Sequence, residues 1–269
     1  MRLVTRELCV DDAEALALVA AAGVHGAYVH NSLVDGEGAG FVLAAAGRTA
    51  ALAWHGPRGN LIVVAEPAAA EFAATRLVDE VAQRQWSWRI AMGPEPALAR
   101  LHDRLAKPPL CWRDQVYYRG ERATAASPRP VVEVRRAQRA DRDRLAQATL
   151  ALNHGDLNVD PARVDRRWLR DSVDERIAKG DTLVIGPPGA FWCKLDHGSR
   201  GPGGVVIEGV FTFPEHRGQG LASALVAASI AECGEPSILH VSRHNLPARA
   251  AYEAAGMVEA GACKLLLTS

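Results

Sequence analysis

The chain is short of several things, and each shortage excludes a class. Its five cysteines, Cys9, Cys111, Cys193, Cys233 and Cys263, are scattered, odd in number and form no CxxC pair. That argues against a disulfide framework or a zinc knuckle and for no metal, and it points to a reducing compartment, the cytoplasm. Neither sign of charge is in excess: 31 Lys plus Arg stand against 31 Asp plus Glu. No overall field therefore draws the chain to nucleic acid or to an anionic membrane surface. No apolar run approaches the roughly 20 residues that cross a bilayer. The opening stretch, MRLVTRELCVDD, carries acids and no apolar core, unlike a secretory leader.

What is present is ordinary for a globular protein. The 269 residues are 48% hydrophobic and 23% charged, enough for one large domain or two of common size with a self-sufficient core. The stretch RGERATAASPRP, Arg119–Pro130, has no apolar periodicity and reads as a linker. The expected organisation is a domain over 1–121, a linker over 122–130 and a second domain over 131–269. In the second half, hydrophobic patterning predicts strands at Val131–Val134, Thr182–Ile185, Ala190–Lys194, Gly204–Phe213, Ser237–Val241 and Cys263–Leu267. Helices are predicted at Ala140–Leu152, Pro161–Lys179, Gly218–Cys233 and Leu246–Ala255. The first half repeats the order, with strands at Leu3–Leu8, Phe41–Ala45, Thr49–Trp54, Leu61–Ala65, Trp88–Ala91 and Cys111–Tyr118. Its helices are expected at Asp11–Ala22, Val24–Val34, Ala68–Arg84 and Pro94–Leu105. The shared order points to two copies of one α/β fold.

The most informative stretch is PEHRGQGLASAL, Pro214–Leu225, where a strand feeds a helix. The first amides of a helix lack partners inside it, and the helix dipole adds partial positive charge there. Glycines let an anion approach the backbone. Arg217, Gly218, Gln219, Gly220, Leu221 and Ala222 therefore make a cradle suited to a pyrophosphate, and Arg217 adds a charged fork.

Arg-x-x-Gly-x-Ala after a strand resembles the acetyl-CoA loop of the GCN5-related N-acetyltransferase (GNAT) superfamily. About 25 residues on, HNLPARAAYEAAGM, His244–Met257, resembles that family's N-x-x-A-x-x-x-Y-x-x-x-G-F segment, with Met257 in place of the usual Phe. The close resemblance covers roughly Val205–Leu267, while Val131–Gly204 matches in element order. The chain is also similar to a bacterial subgroup carrying an extra N-terminal domain. The resemblance implies a tandem of mixed, mostly antiparallel sheets flanked by helices. It implies an acetyltransferase that uses acetyl-CoA as substrate and a small-molecule or peptide amine as acceptor. It also implies that Val210, Phe211 and Thr212 pair with the pantetheine and thioester, that Asn245 contacts CoA, and that Tyr252 is the general acid.

The residues themselves add to this. Gly209 interrupts the strand, and a strand glycine often marks a bulge that frees backbone groups. Glu208 is the only charge in that strand and is the expected base, acting directly or through water. His240 is its rival, against the plainer role of a satisfied core histidine. Tyr252 follows Asn245 by seven residues and shares its helix face. Asp196 belongs to no motif and is expected at a strand end in solvent. The arginine-dense run Arg135–Arg144 reads as a solvated helix start with ion pairs, and His154–Pro161 as a loop bordering the acceptor cleft. Matching Pro67 to Pro214 sets Ala70, Glu71 and Ala73 against Arg217, Gly218 and Gly220, and matching Pro96 to Pro247 sets Leu101 against Tyr252. The first half then lacks every phosphate feature and is expected not to hold CoA. A non-catalytic acyl-CoA-binding module and a longer acyl donor are the competing readings, and a monomer or a homodimer fits either.

Overall fold

The structure is a computed structural model that describes residues 3–126 and 130–268. Chain contacts divide it into two compact units. The first comprises Met1–Tyr117, Ser199–Gly204 and Gly261–Ser269, and the second Tyr118–Gly198 and Val205–Ala260. Neither is a continuous half of the sequence.

In the first unit, β1 (Leu3–Glu7), β2 (Ala39–Ala45), β3 (Arg48–His55), β4 (Asn60–Ala65) and β5 (Ile90–Gly93) lie side by side in chain order. The next strand is the last part of β12 (Val258–Leu267), paired antiparallel to β5 with Lys264 opposite Gly93 and Leu267 opposite Ile90. Helices α1 (Ala13–Ala21), α2 (Val24–Val34), α3 (Ala70–Gln83) and α4 (Glu95–Asp103) complete it, followed by β6 (Cys111–Gly120). Its core gathers Phe41, Leu43, Leu61, Val63, Leu77 and Leu98 around Leu266 from the far end of the chain.

The second unit repeats this plan. The strands β7 (Val134–Arg136), β8 (Thr182–Ile185), β9 (Cys193–Gly201), β10 (Gly204–Thr212) and β11 (Ser237–Ser242) follow one another, and the end of β6 comes next. The helices are α5 (Arg142–Leu157), α6 (Arg166–Lys179), α7 (Leu221–Glu232) and α8 (Leu246–Ala254). Helix α7, LASALVAASIAE, is apolar nearly all round, and seven of its residues, from Leu221 to Ile230, are buried, the usual fate of such a helix. Phe211 and Phe213 close β10 into a core with Leu145, Leu169, Val184 and Phe191.

Several expectations need correction. The strand expected at Ala190–Lys194 starts at Cys193 and runs to Gly201, so Asp196 lies inside a strand and is 6% exposed rather than in solvent. The strand at Val131–Val134 moves to Val134–Arg136, and Arg135 of the arginine-dense run is on it. Helix α5 continues to Leu157 before Asn158 ends it in a left-handed conformation, absorbing the start of the loop expected at His154. The helix expected from Gly218 begins at Leu221, because Gly218 and Gly220 both have φ of +74°. Of the expected linker, Arg122–Thr124 is a short 3-10 turn, and residues 127–129 lie outside the described residues.

Candidate active site

The site begins where two parallel strands part. β10 and β11 pair Val205 with Ser237 and Val206 with Ile238, and both strands run on past that ladder. Their first residues are buried; beyond, Glu208, Gly209 and Val210 on β10 and His240 and Ser242 on β11 become half-exposed. Gly209 has φ of +55°, a left-handed kink in the strand at the place where a glycine bulge was expected. A Cβ there would fall 2.7 Å from both Asp196 Oδ2 and Lys194 Nζ, so the kinked backbone rests directly on that buried ion pair.

β10 ends in Phe213, a short turn at Pro214–His216, and the exposed run Arg217-Gly218-Gln219-Gly220. Helix α7 has no side-chain cap and no acid in its first turn. Among the described residues no acceptor meets the amides of 218–223, the first internal bond being Ala224 N–H to Gly220 carbonyl at 3.0 Å. A Cβ at Gly218 would meet nothing within 4 Å. Its positive φ is what requires glycine, and the open space is what a ligand can fill. Arg217 Nε donates to the Thr212 carbonyl at 3.1 Å, and its guanidinium lies 5.9 Å from the Phe211 ring centre. A cation, two left-handed glycines and a row of free amides face outward together.

Helix α8 supplies the remaining groups. Asn245 Oδ1 caps it by accepting from Ala248 N–H at 3.2 Å, and the Asn245 amide nitrogen makes no bond among the described residues. Tyr252 is the one buried residue of α8. Desolvation first, then the neighbouring charges of Asp156 and Cys193, push its hydroxyl well above the usual tyrosine range. Thr212 Oγ1 donates to the Cys193 sulfur at 3.2 Å, so the end of β10 and Tyr252 share Cys193 as a neighbour.

Glu208 does not stand alone. Arg176 Nη2 donates to Glu208 Oε2 at 3.2 Å, and Arg176 Nη1 pairs with Asp196 Oδ2 at 3.2 Å. Asp196 also accepts from Thr182 Oγ1 at 2.7 Å and from Lys194. Burial alone would raise the Asp196 carboxyl; the charges of Lys194 and Arg176 and the hydrogen bonds from Lys194 and Thr182 outweigh it and hold it below the usual range. Gly198 leaves room for Glu208, since a Cβ there would meet Oε1 at 2.3 Å. His240 is half-buried, and desolvation pushes its imidazole down to about 4, so it is neutral at pH 7. Sequence reasoning missed Arg176, Lys194 and Thr182 altogether. One signal was available: Lys194 and Asp196 are two apart on a strand and therefore share a face.

The first unit has the same scaffold without these features. Between β10 and α7 lie eight residues, 213–220; between β4 and α3 lie four, 66–69. Ala70 opens α3 as Leu221 opens α7, so the run Arg217–Gly220 has no counterpart, and the match of Ala70, Glu71 and Ala73 to it is corrected. The Glu66 carbonyl takes the amides of Ala69 and Ala70 at 2.8 and 3.0 Å, and Glu71 occupies the first turn. Pro96 is second in α4 as Pro247 is in α8, and Leu101, at the position of Tyr252, is buried in the core. β4 and β5 pair over three residues, Asn60–Ile62 with Ile90–Met92, and Gly93 then packs against Val63.

The splayed strands, the loop of free amides and the capped helix that follows coincide with a family model. The description acetyltransferase (GNAT) family matches over residues 183–257. Residues 183–257 form a GNAT domain. The wider GNAT fold covers nearly the whole chain. A GCN5-related N-acetyltransferase from Sphaerobacter thermophilus is similar over 98% of this chain and 94% of its own, with a TM-score of 0.63 and 17% identity. A GNAT-family acetyltransferase from Colwellia psychrerythraea covers all of both chains, with a TM-score of 0.54 and 13% identity. A tandem GNAT protein from the clavulanic acid biosynthesis pathway covers 98% of each, with a TM-score of 0.51 and 12% identity. At such identities the likeness is one of fold. No curated protein matches the sequence. Among the described residues no group of three or more His, Cys, Asp or Glu is disposed to hold a metal, and no helix is long and apolar enough to cross a membrane.

Proposed function

We propose that the GNAT domain, in a second domain spanning 131–269, transfers an acetyl group from acetyl-CoA to a primary amine of a small molecule or peptide. The observation that carries this reading is the row of partnerless amides at 218–223 beside Arg217. A pyrophosphate fits that donor set, each N–H to a charged oxygen contributing roughly 1.5–3 kcal/mol. Gln219, Gly220, Leu221 and Ala222 supply the amides. The pantetheine arm runs along the open edge of β10 at Val210, Phe211 and Thr212, with the free amide nitrogen of Asn245 as a further donor.

The acceptor amine attacks the thioester carbonyl, and Glu208, through Oε1 or one water, takes its proton while Arg176 holds Oε2. The oxyanion that forms is met by a backbone N–H freed at the bulge. The C–S bond then breaks with its electron pair on sulfur. Tyr252 stays protonated at neutral pH and so acts first as a hydrogen-bond donor to the leaving thiolate. The same desolvation raises the basicity of that sulfur, and the proton follows. The first domain, 1–121, joined through 122–130, is a copy of the fold without the CoA loop.

A non-catalytic CoA-binding module would keep Arg217–Ala222 but have no use for Tyr252. Calorimetry with CoA, together with thiol release from acetyl-CoA across a panel of amines, separates the two. Tyr252→Phe is expected to bind CoA within about threefold of wild type and to lose at least about a hundredfold in kcat. Unchanged turnover would remove Tyr252 from the chemistry, and no binding heat from the wild-type protein would sink the whole assignment.

A further inference from the structure

We propose that Tyr118, at the end of β6, is the positioning residue of Tyr252; this rests on the reading of Tyr252 as the proton donor. Tyr118 is fully buried and belongs to the second unit. Its ring meets that of Tyr252 edge to face, with centroids 5.9 Å apart and planes at 62°. Its hydroxyl donates to Glu253 Oε1 at 2.5 Å and accepts from Arg249 Nε at 3.1 Å. Those partners lie one residue after and three residues before Tyr252 on α8, so a single phenol grips the helical turn that carries the donor.

Arg249 is itself held, by Glu259 Oε2 at 3.0 Å and by the Arg243 carbonyl at 3.2 Å. Burial and Glu253 both push the Tyr118 hydroxyl above its usual pKa, against Arg249, so it remains a donor to Glu253. The ends of α8 are fixed separately. Asn245 caps the start. After the last turn Gly256, at φ of +92°, packs so closely on the Thr124 carbonyl that a Cβ would lie 2.1 Å from it. With both ends pinned, the remaining freedom is roll of the helix and swing of the Tyr252 ring, and Tyr118 opposes both. A displacement of about 1 Å at a reacting group costs on the order of a hundredfold in rate, so this restraint acts on kcat. β6 is the closing strand of the first half of the sequence.

The test is a double-mutant cycle of Tyr118→Phe and Tyr252→Phe. Thiol release is followed with acetyl-CoA as donor and water as the default acceptor, and CoA affinity is measured by calorimetry. Tyr118→Phe is expected to lower kcat roughly tenfold, to leave KM for acetyl-CoA and CoA affinity within about twofold, and to add nothing in the Tyr252→Phe background. A wild-type rate in Tyr118→Phe, or a loss that adds to that of Tyr252→Phe, would overturn the proposal while leaving the proton-donor reading intact. A wild-type rate in Tyr252→Phe would instead overturn that reading and this role with it. A second readout needs no turnover: the chain has four tyrosines, so tyrosine-ring carbon signals are separable by NMR. The Tyr252 signal should respond to CoA differently in Tyr118→Phe, and an identical response in both proteins counts against the clamp.

Discussion

At residue 240 an imidazole lies half-buried in β11 with its pKa pushed down to about 4 by desolvation, against an ordinary value of 6.5 in the unfolded chain. Between these values the unfolded state binds more protons, so stability rises with pH. The contribution is complete above about 6.5 and is lost as pH falls towards 4, up to about 3 kcal/mol. His240→Gln should therefore lose less stability than wild type between pH 7 and pH 4, measured by denaturant unfolding at each pH; equal losses would refute the burial argument. At this scale the sequence was legible where the proposed site lies in consecutive residues, as at Arg217–Ala222 and Asn245–Tyr252. It was silent on Asp196, whose burial depends on Lys194, Thr182 and Arg176 arriving from β9, β8 and α6.

The element that separates the two units is the loop between β10 and α7. Gly218 has open space beside it but a positive φ, so Gly218→Ala should cost the fold only about 1–2 kcal/mol. The added Cβ and the altered backbone should weaken CoA binding by at least about tenfold. Thermal unfolding and calorimetry on the same variant test both halves of this statement, and wild-type CoA affinity would contradict it. Most elements were readable from hydrophobic period, with α2 found at Val24–Val34 as expected. Boundaries failed where a local cue competes with pairing. β9 continues through Asp196 because its ladder with β8 sets Asp196 opposite Thr182, and the His197 N–H then meets the Asp181 carbonyl at 2.7 Å, although nothing in that polar run reads as a strand.

Over the whole molecule, the last strand of the chain serves the first unit. Leu265 and Leu266 are 2% and 0% exposed, Leu266 lies in the first core, and each buried leucine contributes about 1.5–3 kcal/mol. Deleting 261–269 should therefore destabilise the first unit. Hydrogen exchange should show amides of β5, the strand that pairs with it, losing protection before those of β8 and β9; the reverse order would contradict the contact division.

The glycine-opened start of α7, the Asn-capped helix with its tyrosine, and the repeat of one element order can all be read along the chain, because each depends on neighbours a few residues apart and on a helical or strand period. It takes the three-dimensional packing to show that β12 completes the first sheet, that a buried ion-pair network lies beneath Gly209, and that Tyr118 meets Tyr252. Those pairings join residues far apart along the chain, and they are selected by burial and strand pairing rather than by any local preference.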